Sequence, residues 1–152
     1  MNPNIDLLNL IVMQDDLRHA AQIQTMAAYI RQNGFWTADA LQQFAKENNL
    51  ARVCPLIEII SFPDGKLMVH DGHHRVVSTF VGGRQYLRGD EYVFKFWDYS
   101  DYLDINFKNR WVTPFDPRVE MRIPAIGTFK KKAIDLSQHS ADESIAYIRA
   151  NK

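Results

Sequence analysis

The sequence predicts a single small α+β domain, and three observations carry that expectation. The chain has 152 residues, 46% hydrophobic and 24% charged, which suits one well-buried core and excludes disordered, collagen-like and coiled-coil classes. Helical stripes towards both ends bracket a run of β-branched and aromatic segments separated by turn residues. No internal repeat, low-complexity tract or linker divides residues 1–152. The expected architecture is a small mixed sheet with flanking helices in one compact unit.

From about Asp15 to Arg31, the residues Leu17, Ala20, Ile23, Ala27 and Ile30 recur at spacings of three and four, the mark of one buried helix face. Asn33-Gly34 stops that helix. A second helix begins with Thr37 as N-cap, turns Leu41, Phe44 and Ala45 inward and ends at Asn48-Asn49. Pro55 to Phe62 is too short for a buried helix and rich in isoleucine. Pro63-Asp64-Gly65-Lys66 then turns it back into Leu67-Met68-Val69 as a hairpin. Val76, Val77, Phe80 and Val81 form a further helical stripe, closed by Gly82-Gly83. Glu91 to Trp97 reads as another strand, and the aromatics Phe94, Phe96, Trp97, Tyr99 and Tyr102 are expected to pack the sheet. Between Asp98 and Pro124, the residues Pro114, Pro117 and Pro124 forbid a long regular element, so an ordered loop is expected there. Thr128 to Leu136 and Ser140 to Ala150 read as closing helices, the first with Lys130-Lys131-Lys132 as a solvated face, the second with a capping box in Ser140 and Glu143.

Lys+Arg and Asp+Glu number 18 each, so the net charge is zero. A protein living on phosphate-backbone contacts usually carries a basic surplus, and non-specific nucleic-acid binding is therefore disfavoured. The single cysteine, Cys54, can form neither an internal disulfide nor a cysteine-rich zinc site, and it reads as a small buried hydrophobe. No run approaches the roughly 18 apolar residues that span a bilayer, and the first 16 residues lack signal-peptide features. A cytoplasmic protein with no membrane association is the expectation.

The chemistry is concentrated in His70-Asp71-Gly72-His73-His74-Arg75, at a strand-to-helix junction. A helix N-terminus presents N–H groups and the positive end of its dipole, which suits an anion. Gly72 allows close backbone approach, Arg75 can supply a bidentate clamp, and the histidines can donate hydrogen bonds or move protons near neutral pH. Asp71 can equally serve as the helix N-cap. Metal ligation by His70, His73 and His74 is disfavoured, because two of them are adjacent and no carboxylate pair stands at ligand spacing. On chemistry alone the segment is a phosphate-binding loop.

This loop, preceded by a hairpin and followed by an apolar helix ending in Gly82-Gly83, resembles the signature of the ParB/sulfiredoxin superfamily, closest to its free-serine-kinase branch. Asn109-Arg110-Trp111-Val112-Thr113-Pro114-Phe115-Asp116-Pro117 is similar to a second segment of those kinases. The resemblance implies a ParB/sulfiredoxin-like fold that binds ATP, ADP or CTP, with magnesium shielding the charge. It implies phosphate contacts from Asp71, Gly72, His73, His74, Arg75 and Arg110. Catalytic roles would fall to His74 and to Asp15 or Asp16, the latter pair orienting a small hydroxyl-bearing acceptor. Read as residues alone, Asp15 and Asp16 are a cap and first-turn dipole partners, and Arg110 can pair with Asp116 or with a phosphate.

The departures narrow the choice. Sulfiredoxins carry a catalytic cysteine where His73 stands, so sulfinic acid reduction is not expected. The residues from Pro124 to Lys152 are too few for the helix-turn-helix and dimerisation tail of partition proteins, so centromere-type DNA binding is not expected. The expected function is phosphoryl transfer from a nucleotide to a small metabolite. The alternative is a non-catalytic nucleotide-binding or DNA-associated module, and a nuclease is the weaker third.

Overall fold

The computed structural model describes residues 2–12, 20–49, 56–101, 111–114, 134–135 and 140–150. Its elements, in chain order, are β1 (Ile5–Asp6), a 3-10 turn (Leu7–Asn9), β2 (Leu10–Val12), α1 (Ala20–Asn33), α2 (Ala38–Glu47), β3 (Ile57–Ser61), β4 (Leu67–Asp71), α3 (His73–Val81), β5 (Tyr86–Leu87), β6 (Tyr92–Phe96), β7 (Trp111–Pro114), β8 (Ile134–Asp135) and α4 (Ala141–Ala150). The α+β class expected from the sequence is the class observed.

A six-stranded mixed sheet runs in the order β6-β3-β4-β2-β7-β8, and β1 pairs with β5 in a separate two-stranded ribbon. The β3–β4 hairpin is antiparallel, with a register irregularity between Glu58 and Ile59. Its turn is closed by Phe62 N–H on Lys66 C=O at 3.0 Å. Strand β6 lies parallel to β3, and β2 lies parallel to β4. The parallel pairings need crossovers, which α1–α2 and α3 supply.

Ile57 and Ile59 of β3, Val69 of β4, Leu10 of β2 and Tyr92 of β6 pack with Ile23 of α1 and Val76 and Val77 of α3 in one buried cluster. Each such aliphatic side chain contributes roughly 1.5–3 kcal/mol on burial. Ile60 and Met68 alternate to the other face and are fully buried as well. Helix α3 sits tightly on α1 at its C-terminal end: a Cβ at Gly82 would lie 2.7 Å from Ile30 Cβ. A second cluster, of Met26, Ile30, Trp36, Leu41 and Phe44, joins α1 to α2.

Several local expectations are met. Thr37 caps α2, its hydroxyl accepting from Ala40 N–H at 3.1 Å. The capping box of α4 is formed, with Ser140 N–H on Glu143 Oε1 at 3.0 Å and Glu143 N–H on Ser140 Oγ at 3.2 Å. Other expectations are corrected. Ile134 and Asp135, expected within a helix from Thr128 to Leu136, form strand β8 against β7, because the β7 edge offers ladder partners that outweigh local propensity. Phe96 does not pack the sheet: it is 76% exposed on the outer strand β6. Among the described residues, no helix is long and apolar enough to cross a membrane.

Candidate anion site at the start of α3

Strand β4 ends at Asp71 and α3 begins at His73, so the entire reversal is made by Gly72 at φ 100°, ψ 25°. This is left-handed backbone, in which a Cβ clashes. The side on which that Cβ would project is filled by Ile57, 3.1 Å to Cγ1 and 3.3 Å to Cα. Gly72 is therefore required by the fold itself, where the sequence reading assigned it to ligand approach. It also displaces Asp71 as the N-cap: the cap residue is Gly72, with no side-chain cap bond, and Asp71 remains in β4 opposite Glu58.

The first turn of α3 contains no acidic residue. It holds His73 and Arg75, both buried, with His74 half-buried between them. Two buried hydroxyls later in the helix, Ser78 and Thr79, donate to the carbonyls of His74 and Arg75 at 2.5 and 2.7 Å, so their polar groups are satisfied within α3. His70 faces elsewhere. On β4 it alternates with the core residue Val69, its Nδ1 lies 3.9 Å from Glu58 Oε2, and its ring meets Trp97 edge-on at 5.0 Å. Lys95 Nζ holds the other oxygen of Glu58 at 2.9 Å. The structure thus separates His70 from the α3 turn and gathers His73, His74 and Arg75 there. Among the described residues, no group of three or more His, Cys, Asp or Glu side chains could hold a metal. Asp15, Asp16, Arg110, Cys54, Tyr102 and Lys130 to Lys132 lie outside the described residues.

Arg75 opens onto a cleft of about 370 Å³. Trp36, Thr37 and Leu41 form its wall from the α1–α2 corner, Leu56 closes the approach to β3, and Arg88, Asp90 and Glu91 come from the loop after β5. That loop is locked to the sheet, since Glu91 C=O accepts at 3.0 Å from the N–H of Ile57, the residue that seats Gly72.

Charge in the cleft is organised by arginines that sequence reading passed over. Glu91, 4% exposed, takes both guanidinium nitrogens of Arg84, at 2.5 and 2.7 Å, and the backbone N–H of Arg88 at 2.8 Å. Asp90 accepts from Arg88 Nε at 3.0 Å. The guanidinium carbons of Arg84 and Arg88 lie 4.1 and 3.6 Å from the centroid of the Phe35 ring. The Arg84, Arg88, Asp90 and Glu91 spacing was visible in the chain. What made it a cluster is Phe35, which only the tertiary structure brings alongside.

Comparison with protein-family models, with curated proteins and with solved structures finds no match to this chain.

Proposed function

We propose that this protein binds a nucleotide, ATP, ADP or CTP, through its phosphates at the first turn of α3, and transfers a phosphoryl group to a small hydroxyl-bearing acceptor. The observation that carries the reading is Arg75: a buried guanidinium in the first turn of a helix with no acid in that turn, opening onto a cleft. A helix N-terminus favours an anion by roughly 0.3–1 kcal/mol, which suits a polyphosphate at this place. Arg75 then supplies a planar fork to phosphate oxygens and His74 a further donor. The resemblance to the ParB/sulfiredoxin kinases points to the same loop.

In the transfer itself, the acceptor oxygen bonds to the terminal phosphorus while the bond to the bridging oxygen breaks. The acceptor proton passes to a carboxylate, for which the resemblance nominates Asp15 or Asp16. Catalysis of this kind rests on positioning and charge neutralisation. With no multidentate carboxylate cluster among the described residues, magnesium fits here as an ion carried by the nucleotide, held by phosphate oxygens and water.

Titration calorimetry with ATP, ADP and CTP tests the binding step. Wild type should bind at least one of them, and Arg75→Ala should weaken binding about tenfold or more. Arg75→Lys, which keeps the charge without the fork, should fall between. No binding by folded wild type overturns the proposal. Labelled nucleotide with a mixture of amino acids, sugars and hydroxy acids then separates the outcomes. Label in an acceptor supports transfer, whereas binding without transfer, or cleavage of added plasmid, rejects the kinase reading in favour of a binding module or a nuclease.

A further inference from the structure

The cleft beside Arg75 is lined as well by Arg88 and by the apolar Trp36, Leu41 and Leu56, which phosphate binding does not explain. We infer that it is a site for a small organic acid, with the carboxylate on Arg88 and an apolar body between Trp36, Leu41 and Leu56. If this acid is the acceptor of the transfer proposed above, that role rests on the nucleotide reading; its binding does not.

Arg88 is held as a presented donor. Its Nε is engaged by Asp90 at 3.0 Å and its plane lies over Phe35 at 3.6 Å. Among the described residues, Nη1 and Nη2 donate to nothing. A guanidinium already fixed by a ring loses little further freedom on pairing with a carboxylate. The opposite wall is equally rigid: the Trp36 ring stacks on Tyr29 at 4.1 Å and 8°, and meets Phe44 at 5.3 Å and 69°. Leu56, 40% exposed, leaves apolar surface at the rim for a ligand to cover.

The polar lining selects the sign of the ligand. Both oxygens of Glu91 are taken by Arg84 and one oxygen of Asp90 by Arg88, and the Thr37 hydroxyl accepts from Ala40 N–H. Arg88 Nη1 and Nη2 are the donors left open there among the described residues. A cavity of about 370 Å³ is at the lower end for small-molecule sites, which suits a small metabolite.

The test is calorimetric titration of the intact protein, without nucleotide, using phenyllactate against phenylethanol, which lacks the carboxylate, and lactate, which lacks the apolar body. Phenyllactate should bind, and the other two should bind at least tenfold more weakly. Arg88→Gln should weaken phenyllactate about ten- to hundredfold. Asp90→Asn should tighten it instead, because it removes a competing negative charge while its amide oxygen still accepts from Arg88 Nε. A merely structural Arg88–Asp90 pair would not produce that opposite response. Absence of phenyllactate binding by folded wild type, unchanged binding in Arg88→Gln, or weakening in Asp90→Asn each overturns the inference. Acid binding without nucleotide binding would leave this site standing and remove the kinase reading. Nucleotide binding without acid binding would do the reverse.

Discussion

At Gly72 one missing Cβ serves two constraints at once. The residue adopts φ 100° and lies against Ile57, so any side chain meets both backbone strain and a filled space. Gly72→Ala should lower stability by about 1–3 kcal/mol, seen as a fall of several degrees in Tm by circular dichroism. An unchanged Tm would mean that the turn is not seated on Ile57. Arg84 and Glu91 behave similarly as a unit. Both are buried, and their two hydrogen bonds fix the loop that carries Arg88 and Asp90 to the cleft. Such a pair specifies geometry more than it stabilises, because desolvation offsets much of the attraction.

Among the elements, the helices were the most legible and the short strands the least. Helix α2 announces itself by Thr37 and its inward Leu41 and Phe44, and α4 by Ser140 and Glu143, because caps and periodicity are local. Ser140→Ala should remove one half of the capping box and cost about 1 kcal/mol. The faster amide hydrogen exchange this predicts should be confined to the first turn of α4. Strands β1, β2 and β5 went unread. At two or three residues each, they carry too little alternation to signal, and they exist through the pairing of β1 with β5 and of β2 with β4 and β7. Gly82 was read as a helix stop, which it is, yet its lack of a side chain is equally demanded by Ile30 of α1.

On the scale of the whole molecule, a contact far from the cleft ties the chain's end to its middle. The Tyr99 hydroxyl donates to both carboxylate oxygens of Asp64, at 2.9 and 2.8 Å, while Arg149 of α4 approaches the same carboxylate at 3.6 Å. Tyr99 also stacks on Phe62 at 4.2 Å. Burial first, and then the bond to Asp64, push its phenol well above the ordinary value of 10.0. A group whose pKa is raised by folding contributes stability that is complete below its unfolded pKa and fades as pH rises above it. Thermal scans should therefore show stability falling above about pH 10, and Tyr99→Phe should abolish that part of the alkaline loss. An alkaline profile unchanged by Tyr99→Phe would reject the assignment.

What the sequence determined by itself was local: the helix caps, the β3–β4 hairpin, and a glycine-led turn followed by two histidines and an arginine. Each follows from the backbone preferences of a few neighbouring residues, so a one-dimensional reading reaches it. The tertiary structure alone decided that Arg75 opens on a cleft, that Phe35 aligns Arg84 and Arg88, and that His70 turns to Glu58 and Trp97. Those relations join residues tens of positions apart, or set the face on which one side chain emerges, and they come into being only when the core brings the segments together.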